Sequence, residues 1–356
     1  MRRLLQPGLL ALLVLALAAV PALAGSWRSD QDAAQSLGQN PGNQGREFAD
    51  SQAQTTTTAP AQPADRGVAA PGLSGESLSS YGPGTEGSSG YQVGRGSDGG
   101  RGLRVVGLTD RGRLVTFRST SPSRITTIGR ISGLAGDRSL VGIDYRVQDG
   151  KLYGVGDRGG IYTVSTRTAK AVKVSQLTVA LDGRSFGVDF NPAANRLRVV
   201  SDTGQNLRHN IDDPAGSPAA GTTAVDATLT YPPATVAATG VTAVAYTNND
   251  LDPNTATTLF DLDSNLDQTA VQSPANAGTL AATGKLGVDS DPGAGFDIYS
   301  GPRDRTASSA TGLATLRVNG RYGLYQVGLL TGGASFAGQF PDRQQVVDLA
   351  IPLDQG

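Results

Sequence analysis

The chain has 356 residues, 17% of them charged and 38% hydrophobic, and its 30 basic and 31 acidic residues leave a net charge of −1. That balance is too even to propose nucleic acid or an anionic membrane as partner. With no cysteine and a single histidine, disulfides, thiol nucleophiles, iron–sulfur clusters, zinc–thiolate centres and multi-histidine metal sites are all excluded.

The chain begins with Arg2 and Arg3, runs through an apolar stretch from Leu9 to Val20 and reaches Ala22-Leu23-Ala24. This is the charged head, apolar middle and small-x-small end of a signal peptide, so residues 1–24 are expected to be removed at export. Periplasm, cell envelope or extracellular space is then the expected location. No later run is long enough to span a membrane. Residues 25–102 are rich in Gly, Ser, Gln, Thr, Ala and Pro, as in TTTTAPAQPA, and hold neither the strand nor the helix period. Such a segment buries too little surface to offset its ordering entropy and reads as a disordered spacer.

From Leu103 the texture changes to short apolar strands divided by Gly, Asp, Asn and Pro, and 103–356 is read as one all-β domain. LVGIDYRVQDGKLYGVGDRGGIYTVS (140–165) aligns with SFGVDFNPAANRLRVVSDTGQNLRHN (185–210) as strand, turn, strand, tight turn, strand. Weaker copies start at VTAVAYTNN (241–249) and AGFDIYSG (294–301). VVGLTDRGRLVTFRST (105–120) lacks a first strand, whereas QVVDLAIPL (345–353) is a first strand with nothing after it. First strands near 142, 187, 243, 296 and 347 recur at a propeller-blade interval of roughly 40 to 55 residues. A ring of such sheets needs its last strand inserted into its first blade. The expected fold is a five-bladed β-propeller closed by the C-terminal strand, or six blades if 210–241 hides a degenerate one.

The runs Gly-x-Asp-Phe-Asn-Pro and Arg-Leu-Arg-Val-Val-Ser-Asp-Thr-Gly-Gln-Asn-Leu-Arg, with Ala-Tyr-Thr-Asn-Asn and Leu-Gly-Val-Asp, resemble the exported bacterial family catalogued as domain of unknown function 4394. The resemblance covers about 103–353 and implies a propeller-like domain. It brings no activity, substrate or site residues.

Three groups of residues could carry function. Around His209 stand Asp202, Gln205, Asn206 and Arg208, and with Asp189 and Asn191 of the preceding strand they are candidates to bind a glycan, peptide or protein ligand at a blade tip, which amide and guanidinium groups suit. Ser201 and His209 fall on adjacent strands, which leaves a hydrolytic triad open, although Asp202 and Gly204 equally suit a stabilised turn. Asp144, Asp189, Asp297 and Asp348 follow the Gly-x step or its counterpart on first strands, where Ala245 stands in the fourth copy. They either ring a central channel or accept backbone N–H bonds between blades. In DLDSNLDQ, Asp261, Asp263, Asn265 and Asp267 alternate like the oxygen ligands of a calcium loop, but Leu266 replaces the turn glycine and Gln272 the bidentate glutamate. Calcium is the one cofactor this pattern suggests. A monomeric, exported binding module is the leading expectation, and an extracellular propeller hydrolase or lyase using channel carboxylates is the alternative.

Overall fold

The computed structural model describes residues 102–252, 255–301 and 310–355. The expected signal peptide (1–24) and, apart from Gly102, the expected spacer (25–102) lie outside the described residues.

The strands follow in chain order as β1 (Arg104–Thr109), β2 (Arg113–Arg118), β3 (Ser121–Arg130), β4 (Leu140–Arg146), β5 (Lys151–Gly156), β6 (Gly160–Val164) and β7 (Ala171–Gln176). Next come β8 (Phe186–Asn191), β9 (Arg196–Ser201), β10 (Asn206–His209), β11 (Thr223–Val225), β12 (Val241–Tyr246), β13 (Leu259–Asp263), β14 (Gln268–Gln272) and β15 (Leu280–Lys285). The last are β16 (Ala294–Tyr299), β17 (Thr311–Val318), β18 (Arg321–Val327), β19 (Ala334–Gln339) and β20 (Val346–Ala350). They form five antiparallel four-stranded sheets, the blades of a propeller. Blade 1 is β20-β1-β2-β3, and blades 2 to 5 are β4 to β7, β8 to β11, β12 to β15 and β16 to β19. The stretch 210–241 supplies β11, the outer strand of blade 3, so it completes that blade and adds no sixth.

The inner strands β4, β8, β12, β16 and β20 touch one another in a closed cycle. Position within a blade sets the hydropathy of each strand. All six residues of β12 are buried, because both its faces meet a neighbouring blade, whereas Val172 and Val174 of the outer strand β7 are exposed. The apolar side chains form five clusters, one in each blade-to-blade interface. No blade owns a core by itself.

Glycine is required where the inner strands crowd toward the axis. A Cβ on Gly187 would lie 2.6 Å from the Val244 backbone nitrogen, and one on Gly295 would lie 2.5 Å from the Asp348 Cα. The glycine of the repeated Gly-x-Asp step is therefore a packing requirement between blades.

Closure is antiparallel: β20 pairs with β1 through Val106 with Ala350, Gly107 with Leu349 and Leu108 with Asp348, then shifts by a bulge. Deleting 345–356 removes this inner strand and the Val346, Leu349 and Ile351 contacts between blades 5 and 1. The truncated chain should melt well below the full chain and with lost cooperativity, since each interface is stabilised by two blades. An unchanged melting temperature by circular dichroism would refute this.

Candidate functional site

Each inner strand sends an aspartate or a small residue toward the axis. Asp144 Oδ2 accepts the Phe190 N–H of blade 3 at 2.8 Å, and Asp189 Oδ1 accepts the Tyr246 N–H of blade 4 at 3.2 Å. Asp297 Oδ2 accepts the Ile351 N–H of blade 1 at 2.5 Å, and its Oδ1 accepts the N–H of Ile298 at 2.6 Å. Asp348 Oδ2 accepts the Ile143 N–H of blade 2 at 2.7 Å. Carboxylate to backbone bonds thus couple four of the five blade pairs. Blade 4, with Ala245 at that place, lacks the link.

The register of these bonds corrects one assignment. Phe190 and Tyr246 each follow the ring position of their own strand, so Ile351 makes Ala350 the ring residue of blade 1. Asp348 sits two residues earlier, on the same face, and meets Gly295 and Gly142 there. Carboxylate oxygens of Asp144, Asp189 and Asp297 lie within 4.8 Å of one another, a buried group that could hold a metal ion.

Burial dominates their protonation. It raises Asp144, Asp189 and Asp348 well above the ordinary carboxyl value and Asp297 to about 7, with the charge of Asp297 adding to the shift at Asp144. Backbone N–H bonds pull the other way and do not overcome it.

The polar residues around His209 divide among separate places. Asn191 Oδ1 accepts the N–H groups of Ala193 and Ala194 and shapes the β8–β9 turn. At the other end, Asp202 accepts the Arg184 N–H at 2.8 Å, while Gln205 bonds the Ala180 carbonyl and the Asp182 N–H. Asn206 is buried: its oxygen accepts from Arg198 and its amide donates to the carbonyls of Ala227 and Ala275. Arg208 pairs with Asp226 at 3.1 Å and donates to the Ser217 carbonyl. His209 is fully buried in β10, with Nε2 against Ser175 Oγ at 2.8 Å and Nδ1 against Thr223 Oγ1 at 2.9 Å. Ser201 bonds Thr203 instead.

Sequence reasoning missed the centre of this region. Arg198 is buried and bonds Asp226 at 2.6 Å, Asn206 and Asn276, so that Asp226 holds two guanidinium groups. The alternation Arg196, Arg198 in β9 signals two arginines on one face of a strand, but the acid of Arg198 lies 28 residues away across β10, and Arg196 pairs with a different one, Asp213.

The calcium-like run is dispersed. Asp263 accepts the Tyr231 hydroxyl and the N–H groups of Asn265 and Leu266, Asn265 donates to the Thr239 carbonyl, and Asp267 accepts from Ser290. Asp261 is buried with neither oxygen hydrogen-bonded, and burial raises it well above the ordinary range while the charge of Arg198 opposes the shift. Three of the four are turn or interblade fastenings with different partners.

Two outcomes are expected. Asp226→Ala should destabilise the protein by on the order of 3 to 5 kcal/mol in urea unfolding, because it strands the buried Arg198. Arg208→Ala, at the partly open end of the pair, should cost about 1 kcal/mol. Equal costs would show that Arg198 does not depend on Asp226.

The second concerns pH. Raised carboxyl values mean that the folded ring binds protons the unfolded chain has lost, so their contribution is lost as pH rises through the folded values. His209, lowered by burial to about 4, works oppositely: its neutral form favours folding, and that contribution is lost as pH falls from 6.5 toward 4. Above the ordinary histidine value only the acids remain. In the presence of a chelator, the melting temperature should fall from pH 6.5 to pH 8, and Asp297→Asn should flatten the decline. A rise across that window would contradict it.

No curated protein matches the chain. Among solved structures it is similar to a protein of unknown function from Bacteroides thetaiotaomicron, at 12% identity over 72% of this chain and 65% of that one, with a TM-score of 0.43. The chain thus spans about two thirds of that protein's length. It is also similar to a chain of a nidogen/laminin complex, at 10% identity over 72% of this chain and all of that one, with a TM-score of 0.42. The model of the family described as domain of unknown function 4394 matches residues 113–350, from the second strand of blade 1 to the strand that closes it, and the chain belongs to that family.

Proposed function

We propose that the protein is an exported binding module, a rigid propeller that presents its blade ends and grooves to an extracellular ligand. The observation that carries this reading is the placement of His209. A serine hydrolase would need that imidazole between a serine and a carboxylate, but Nε2 meets Ser175 of blade 2 while Nδ1 meets the Thr223 hydroxyl where the acid would stand, in a site where the ring is fully buried and Ser201 bonds Thr203. The axial carboxylates likewise fasten blade to blade. Export is supported by Arg2, Arg3, the apolar run and Ala22-Leu23-Ala24. Among the described residues no helix is long and apolar enough to cross a membrane.

A second reading is favoured by the convergence of Asp144, Asp189 and Asp297: a divalent cation at the axis, calcium by the preference of hard cations for carboxylate oxygen. It would take the place of the protons that burial otherwise retains there.

Thermal-shift screening of the chain against polysaccharides, peptides and divalent ions tests both. A ligand that raises the melting temperature and is recovered unchanged fits the binding module. Stabilisation by calcium at pH 8 that is lost in Asp297→Asn fits the axial ion. Turnover of a ligand that is abolished by Asp297→Asn would replace the binding module with an enzyme. Fractionation of expressing cells tests export: the secreted or envelope protein should begin at Gly25, and retention of the full chain in the cytoplasm would end that part of the reading.

A further inference from the structure

Blade 2 carries a shallow cleft of about 360 Å³ on its side toward blade 1, at the end formed by the β4–β5 and β6–β7 turns. This is at the low end of the volume range of ligand pockets. Three cations line it, Lys151, Arg167 and Lys170, and no carboxylate does. Lys151 pairs with Asp149 beside the cleft at 3.1 Å, whereas Arg167 and Lys170 enter no ion pair among the described residues. On a chain of net charge −1, this concavity gathers two cations, Arg167 and Lys170, that no carboxylate among the described residues pairs with.

The turn that presents these cations is held firmly. Ser165 donates its N–H to the Lys170 carbonyl at 2.9 Å, and Ala169 donates back to the Ser165 carbonyl at 2.8 Å. Ser165 Oγ accepts the N–H groups of Arg167 and Thr168. Ala169 has a φ of 57° and is fully buried in the apolar cluster between blades 1 and 2, so the turn is anchored by its own side chain. Arg167 and Lys170 therefore start from a fixed backbone, which lowers the ordering cost of binding.

The remaining lining alternates hydroxyls with apolar faces. Tyr145 is half-buried, and burial pushes its phenol up to about 12, so it stays a hydrogen-bond donor. Thr163 and Thr166 add hydroxyls, and the exposed Val172 with the Tyr145 ring supplies apolar surface. Cations separated by hydroxyls and flat apolar patches match a pyranose chain, whose rings offer C–H faces and hydroxyls while its acid groups offer anions.

We propose that the cleft on blade 2 binds an acidic polysaccharide, one whose sugar rings carry carboxylate or sulfate groups that pair with Arg167 and Lys170. This rests on the reading of the propeller as a binding module.

The test is isothermal titration of the full chain with polygalacturonate, dextran sulfate and neutral dextran. Binding of at least one acidic polymer, with none to dextran, is expected. Arg167→Gln/Lys170→Gln should weaken it by about tenfold or more, as loss of a charge-assisted contact implies, and reduce its salt dependence. Both residues are exposed, so the melting temperature should hold. Arg111→Gln/Arg343→Gln is the control, because these exposed arginines lie in connections at the opposite end of the ring and should leave binding intact. The idea is overturned if both double variants lose affinity alike, if only a neutral saccharide binds, or if a single-stranded oligonucleotide competes on equal terms. A neutral saccharide would still leave the binding module standing. Failure of every probe here and in the thermal screen would remove both.

Discussion

Every apolar cluster in the described structure is shared by two blades, so burial of the hydrophobic surface depends on the circle being complete. A four-stranded sheet standing alone exposes both faces, and it becomes stable only between two neighbours. The pairing of β20 with β1 supplies the last of the five interfaces. This explains why a cysteine-free chain needs no covalent staple: ring geometry does what cross-links do in small disulfide-rich domains.

The same demand accounts for the chemistry at the axis. Five inner strands meet so closely that glycine is needed at Gly187 and Gly295, and the backbone N–H groups facing the next blade need acceptors. Asp144, Asp189 and Asp297 provide them across interfaces, at the cost of placing three carboxyls within 4.8 Å. Burial then favours their protonated forms, and this ties the electrostatics of the channel to assembly. Ala245 and Ala350 occupy the other two ring places and keep two more charges out of the same volume.

Legibility followed sequence distance. Blade count, first-strand positions and closure were readable from Leu103 onward, because repetition places like residues at like strand positions and the two fragmentary units complete each other. The recurrent Gly-x-Asp was readable as structural or functional, and the hydrogen bonds show a structural use. Asp348 was misplaced by two residues, because it stands at the place that glycine takes in a Gly-x-Asp step while Ala350 takes the place of the aspartate, and a carboxylate two residues along the same strand looks alike in the sequence. The Arg198–Asp226 pair was invisible because its partners come from a strand and a loop 28 residues apart. The cleft on blade 2 also escaped notice: its cations look like ordinary turn residues until the turns at one end of the blade are seen together.

The meeting of the two ends of the ring has a topological consequence. Gln355 accepts the Arg104 N–H at 2.7 Å through Oε1 and donates back to the Arg104 carbonyl at 3.2 Å, so the first strand and the last turn of the domain lie side by side in blade 1. The fold thus prescribes a circle more than a beginning and an end. A circular permutant that joins the two ends through a short linker and opens the chain in a connection between blades would keep every sheet and every interface, with all five blades then built from consecutive strands. The seam lies in blade 1 because β1 and β20 pair there, and the other four blades, each built from consecutive strands, would be unchanged by moving it.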